Sequence, residues 1–206
     1  MAAPGVATGI GSKLLCSARY VSGFSQQQSF DDLVQYSGIL QELTVDYDDV
    51  QKKVTTSLFG LSEKTANYLP NIGCAIDYSG FSQRALLLTE QVSASAAAWP
   101  AGDTVGTADS DMESKLERLL ATDNEEGFNT RAFLVAHRGK VVAEAYGQGA
   151  DADTPLLGWS MAKSLTAIML ANLEYRGILD LDGTPEFELW QGDERSQIRI
   201  SDMLTM

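Results

Sequence analysis

From Met161 to Leu173 the chain is built almost wholly of Leu, Ile, Met and Ala, and Gly177 follows soon after, behind Arg176. This stretch limits the fold more than any other. Its spacing predicts a helix from Ser160 to Arg176, closed by Gly177 in the left-handed conformation that ends many helices. A helix apolar on nearly every side is expected to be covered by other elements. It is not a membrane span, because no window of about 18 or more apolar residues exists. The chain therefore has to supply a core around this helix. With 44% hydrophobic and 21% charged residues it has the composition of an ordinary globular protein.

The sequence before the helix gives it neighbours. Ser110-x-x-Glu113 has the form of a capping box. Met112, Leu116, Leu119 and Leu120 then fall on one helical face, and Asn124–Gly127 ends that helix. Arg131–Ala136 and Val141–Tyr146 are two apolar-rich runs around Arg138-Gly139-Lys140, which predicts a β-hairpin. A Gly/Asp/Pro loop, Gly147–Pro155, leads to Gly158-Trp159-Ser160. After the apolar helix comes a loop over Leu179–Pro185. Ser201 is then expected to cap a further helix beginning Asp202-Met203-Leu204.

The first part of the chain reads as a small α/β segment over residues 1–95. A helix is expected over Asp31–Leu43 after a Ser29 cap. Strands are expected at Val54–Phe59, Thr65–Leu69 and Cys74–Tyr78, the last two separated by Pro70-Asn71-Ile72-Gly73. Val92–Ala98, a run of small residues, and the turn-rich stretch that follows mark residues 96–110 as a linker. Residues 111–206 form the second segment. Cys16 and Cys74 lack the spacing of a zinc or redox motif, and can be either a disulfide or two free thiols. Met1–Ser12 is small and Gly-rich and shows no signal-peptide pattern.

The net charge of −13 repels phosphate backbones, which argues against nucleic acid as a partner. Chemistry points to Ser160 and Lys163. Three residues apart on a helix, they are neighbours on one face. A serine hydroxyl needs an adjacent base to act as a nucleophile at neutral pH. A lysine can be that base when burial or a positive field disfavours its charged form. The apolar helix is expected to provide the burial, and the helix N-terminus the field. Ser-x-x-Lys alone is a weak signal, but it occurs once here among 18 serines and 7 lysines, and it opens the most apolar helix. His137, the sole histidine, falls at a strand end, which disfavours a Ser-His-Asp triad or a histidine metal site. Asp46, Asp48 and Asp49 lack calcium-loop spacing and read as a solvated acidic loop.

Residues 131–206 resemble the beta-lactamase-like serine hydrolases: class C beta-lactamases, penicillin-binding peptidases, esterases and 6-aminohexanoate-dimer hydrolases. The stretch AFLVAHRGKVVAEAYGQGADADTPLLGWSMAKSLTAIMLANLEYRGILDLDG is similar to the opening hairpin, nucleophile helix and following loop of that family. ISDMLTM is similar to the start of its next helix, and the Trp99-Pro100-Ala101-Gly102-Asp103 turn to sequences that precede this domain in some members.

The resemblance implies an α/β (α+β) domain with an antiparallel sheet and flanking helices, preceded by the small α/β segment. It implies hydrolysis of an amide or ester through a Ser160 acyl-enzyme, with Lys163 as general base and the Ser160 N–H as half of an oxyanion hole. The partner is a small-molecule substrate, and no metal or organic cofactor is required. The family's location suggests a periplasmic or extracellular protein. A Tyr-x-Asn element and a Lys-Thr-Gly or His-x-Gly strand are expected after Met206, since neither Tyr146 nor Tyr175 has an asparagine two residues on. Residues 1–206 alone are accordingly expected to be inactive, with Leu165, Ile168, Met169 and Leu173 partly wet. A non-catalytic binding or structural protein on the same fold is the alternative.

Overall fold

A computed structural model describes residues 3–77, 95–106, 108–185 and 187–205. They form two compact units, Met1–Pro155 and Leu156–Met206. The architecture is mixed α/β, with antiparallel sheets and flanking helices.

The first unit opens with α1 (Ala3–Tyr20), followed by α2 (Gln26–Val34) and a 3-10 turn at Gly38–Glu42. Four strands then run as an antiparallel meander: β1 (Leu43–Asp48), β2 (Lys53–Leu58), β3 (Ser62–Leu69) and β4 (Gly73–Ile76). Along β2, Val54, Thr56 and Leu58 are buried in strict alternation, so one face of the sheet is covered. The cover is α1. Its small residues let it approach closely: a Cβ on Gly11 would lie 2.5 Å from Leu43 Cδ1. The Thr56 hydroxyl donates to the Thr8 carbonyl at 2.6 Å. Leu15, Cys16, Leu33, Val54 and Ala66 fill the space between. Cys16 and Cys74 are bonded, joining α1 to β4 with their Cα atoms 6.0 Å apart.

Farther along the same unit, α3 (Ser110–Glu125) packs on a hairpin of β5 (Ala132–His137) and β6 (Lys140–Tyr146). Leu116 of α3 meets Ala143 and Ala145 of β6, flanked by Met112, Phe133 and Val135. Arg138 and Gly139 both have positive φ, 50° and 72°. That is the two-residue turn whose twist matches paired strands. The second unit consists of α4 (Met161–Tyr175), two 3-10 turns at Glu188–Trp190 and Glu194–Gln197, and α5 (Ile200–Leu204). Gly177 sits at φ 68°, and the Ile178 and Gly177 N–H groups return to the Leu173 and Glu174 carbonyls, a left-handed helix ending.

Several expectations are corrected. Residues 31–43 are not one helix: α2 begins at Gln26, capped by the Ser25 hydroxyl, which accepts from the Gln28 N–H, and Ser29 lies inside it. The cap of α3 is Asp109, whose carboxylate accepts from the Asp111 and Met112 N–H groups, with Ser110 as the first helical residue. At α5 the cap position is Arg199, while the Ser201 hydroxyl donates to Asp182. The acidic stretch around Asp46 is not simply a loop, since Asp46 and Asp48 lie in β1. The expected strand end at Tyr78 and the start of the linker run, Val92–Ala94, lie outside the described residues. The described residues leave α4 without the cover its apolar sequence calls for, the partly wet state expected of residues 1–206: none of its described residues is buried, and Leu165, Ile168 and Met169 are 59%, 67% and 60% exposed. An apolar sequence creates the need for a cover, but only a second apolar surface supplies one.

Candidate active site

The Ser-Lys pair sits at the head of α4. The chain turns into the helix through Gly158 and Trp159, and the Met161, Ala162 and Lys163 N–H groups donate to the Gly158, Trp159 and Ser160 carbonyls at 2.9, 3.1 and 3.0 Å. Ser160 occupies the cap position with φ −67° and ψ −10°, already helical. Its hydroxyl makes no capping bond. Instead it meets Lys163, whose Nζ donates to Ser160 Oγ at 3.1 Å. One turn of helix thus brings the two side chains into contact, as their spacing predicts.

Two backbone features accompany this contact. Trp159 has φ 41°, an uncommon conformation for a bulky residue, costing on the order of 1–3 kcal/mol. Nothing in the sequence marks it, since the glycine that would relieve it stands one position earlier, at Gly158. The Ser160 N–H belongs to the first turn of the helix, where amide groups have no intrahelical acceptor and carry the positive end of the helix dipole. An oxygen that becomes negative beside Ser160 would face this end.

The burial expected for Lys163 is not provided by the described residues. Ser160 and Lys163 are both exposed, while Ala167 and Leu170 farther along α4 are half-buried. The physical reason is the lack of a packing partner along Leu165, Ile168 and Met169.

The remaining candidates are occupied elsewhere. His137 ends β5 opposite Lys140. Tyr146 donates its hydroxyl to Glu144, and burial first, then this carboxylate, pushes its pKa up to about 12. Tyr175 is 91% exposed at the last position of α4. Asp48 accepts from the Val50 and Gln51 N–H groups in the β1–β2 turn. Asp49 accepts from Arg19 Nε at 3.2 Å and from the Tyr20 hydroxyl at 3.0 Å. The hydrogen bonds from Arg19 and Tyr20 hold the Asp49 carboxyl below the usual range. Among the described residues no helix is long and apolar enough to cross a membrane.

The fold and the pair together describe a mixed α/β protein that presents a serine–lysine contact at a helix start. Residues 112–206 are similar to the Beta-lactamase family model. The match takes in α3, the β5–β6 hairpin and α4. No curated protein matches the chain, and no solved structure does.

Proposed function

We propose that the protein is a serine hydrolase that cleaves an amide or ester through an acyl-enzyme on Ser160, with Lys163 as general base. The observation that carries this reading is the 3.1 Å contact between Lys163 Nζ and Ser160 Oγ at the start of α4. In the acylation step neutral Nζ takes the hydroxyl proton while Oγ bonds to the substrate's carbonyl carbon. Collapse of the tetrahedral intermediate expels the amine or alcohol, which leaves with the proton from Nζ. Water then attacks the Ser160 ester, giving up a proton to Nζ, and the acid departs as Nζ returns that proton to Ser160 Oγ. The Ser160 N–H and the dipole of α4 stabilise the oxyanion. The strained backbone at Trp159 supports the reading, because such strain persists where surrounding structure holds a functional group in place.

Residues 1–95 form an accessory segment, 96–110 a linker, and 111–206 belong to the hydrolase domain. The substrate is a small molecule, and no step needs a metal or organic cofactor. Because the described residues leave Lys163 and the flank of α4 exposed, residues 1–206 by themselves are expected to show no turnover.

A serine-reactive phosphonate tests the assignment on the protein expressed from its natural coding sequence. The label is expected on Ser160. Ser160→Ala should lose it, and Lys163→Ala should slow it by several orders of magnitude, as when one member of a cooperating unit is removed (up to ~10⁶-fold). A label on another serine, retained in Ser160→Ala, would sink the assignment. No label at all, in a protein that folds, would favour a non-catalytic binding protein on this fold.

A further inference from the structure

The β5–β6 hairpin has a closed end and an open end. The Arg138–Gly139 turn closes the first. At the second, the Gly147 N–H donates to the Arg131 carbonyl at 2.9 Å, just outside the Ala132–Tyr146 pair. The two strands are unequally covered. Val141, Ala143 and Ala145 of β6 are buried, whereas no residue of β5 is. A two-stranded pair with one poorly covered strand is marginal in water, and it frays first where no turn joins the strands.

That open end is gripped by α2. Arg131 Nη2 donates to both oxygens of Asp32, at 2.6 and 2.7 Å. The Gln148 carbonyl accepts from Arg131 Nη1 at 3.3 Å and from the Gln28 side-chain amide. The Arg131 guanidinium carbon lies 5.2 Å from the centre of the ring of Phe24, a buried residue just before α2. One guanidinium thus serves a carboxylate, a ring face and a carbonyl, and the Arg131 side chain is only 13% exposed. Gln28 and Asp32 lie four residues apart, one turn, so a single face of α2 holds the residue before β5 and a residue just after β6. The apolar clusters around Leu15 and around Leu116 share no residue. Among the described residues it is therefore contacts of this kind, and not a common core, that tie α2 to the hairpin.

We propose that the face of α2 carrying Gln28 and Asp32, with Phe24 before it, is an interaction surface for the open end of the β5–β6 hairpin of the same chain. Through it the N-terminal segment braces that end against fraying. The segment then has a role of its own: it steadies a strand pair inside the region that is similar to the family model. Every residue of the brace lies in the first unit, and none of its action depends on Ser160. Arginine suits the position because its planar fork reaches a carboxylate with two bonds while a third N–H serves the carbonyl, which a lysine ammonium cannot match.

The test is residue-resolved hydrogen exchange along β5 and β6, on the protein expressed from its natural coding sequence. Asp32→Arg and Arg131→Asp should each speed exchange of the Gly147 N–H by about tenfold or more, the scale of losing a charge-assisted hydrogen-bonded pair. The acceleration should fade along both strands towards the Arg138–Gly139 turn and leave β2 unchanged. The double swap, Asp32→Arg with Arg131→Asp, should restore much of the protection. Gln28→Ala keeps the ion pair and should give the same gradient with a smaller amplitude, which also decides the matter if a charge variant fails to fold. Unchanged exchange at the open end in the charge variants, or in Gln28→Ala where those do not fold, would overturn the brace. Equal acceleration at both ends of the hairpin and in β2 would reduce the effect to general stability and overturn it too. A double swap no better protected than the single variants would show that the pairing of Asp32 with Arg131 is not what holds the end, and would overturn it as well.

Discussion

Helices α1 and α4 have opposite relations between sequence and burial. α1 is rich in small residues, Gly5, Gly9, Gly11, Thr8 and Ser12 among them, yet Thr8, Ser12, Leu15 and Cys16 are fully buried against the four-stranded sheet. α4 is the more apolar of the two and buries no described residue. The difference shows what a core consists of. Apolar surface gains free energy only when it leaves water, and it leaves water only against another surface of matching shape. Small residues let α1 sit close to β1 and β2. The large side chains of α4 have no such floor among the described residues.

The sharpest way to break this comparison is to truncate one side chain in each helix. Leu15→Ala is expected to destabilise the protein by about 2–5 kcal/mol, because a fully buried leucine leaves both lost transfer energy and a cavity. Leu165→Ala should change stability by no more than about 0.5 kcal/mol, the usual range at exposed sites. Denaturant melts of residues 1–206 measure both. Equal losses would mean that α4 is packed in solution and the contrast is false. Hydrogen exchange gives the same contrast without mutation: strong amide protection is expected in α1 and β2, weak protection across α4.

The disulfide sharpens it further, because it locks α1 to β4. Closing a loop with a separation of 58 residues is worth about 4 kcal/mol in the chain-entropy picture, an upper figure since residual structure in the unfolded chain reduces it. Cys16→Ala with Cys74→Ala should lower the melting temperature of the first unit and leave exchange in α4 unchanged. Loss of protection in both would show that the two regions are energetically one.

The smallest effect comes from pH. Burial, the largest cause, pushes the Tyr47 hydroxyl up to about 12, and does the same to Tyr20, where the hydrogen bond to Asp49 adds to it. The folded pKa lies above the ordinary value of 10.0, so the associated stability is complete below pH 10 and is lost as pH rises towards 12. Tyrosinate absorbance should therefore rise with unfolding of the first unit rather than before it. Among the described residues the Tyr47 oxygen is buried without a hydrogen-bond partner. Tyr47→Phe should consequently hold or raise stability by up to about 1 kcal/mol, since a buried unsatisfied group is removed. A clear loss in a thermal melt would mean that the hydroxyl is bonded in solution.

Much of the second segment was legible in the sequence. The β5–β6 hairpin follows from two apolar runs around Arg138-Gly139, α3 from the stripe Met112, Leu116, Leu120, and the end of α4 from Gly177. These are local signals: a turn that needs positive φ, a helical period, a stop. The contact of Ser160 with Lys163 is local too, because one helical turn sets their separation. The N-terminal helix carried no such signal. Glycines lower intrinsic helix propensity, and α1 forms because they let it lie close to Leu43 and Thr56, residues far along the chain.

What the sequence determined by itself is therefore the set of elements whose cause lies within a few residues, together with the serine and lysine that one of them carries. The tertiary structure alone decided that Cys16 meets Cys74, that Asp32 meets Arg131, and that the less apolar of the two helices is the buried one. Each of those outcomes depends on which surfaces the chain brings together. Burial and ion pairing are properties of a pair of surfaces, and a residue's own chemistry states only what it needs, not what it will find.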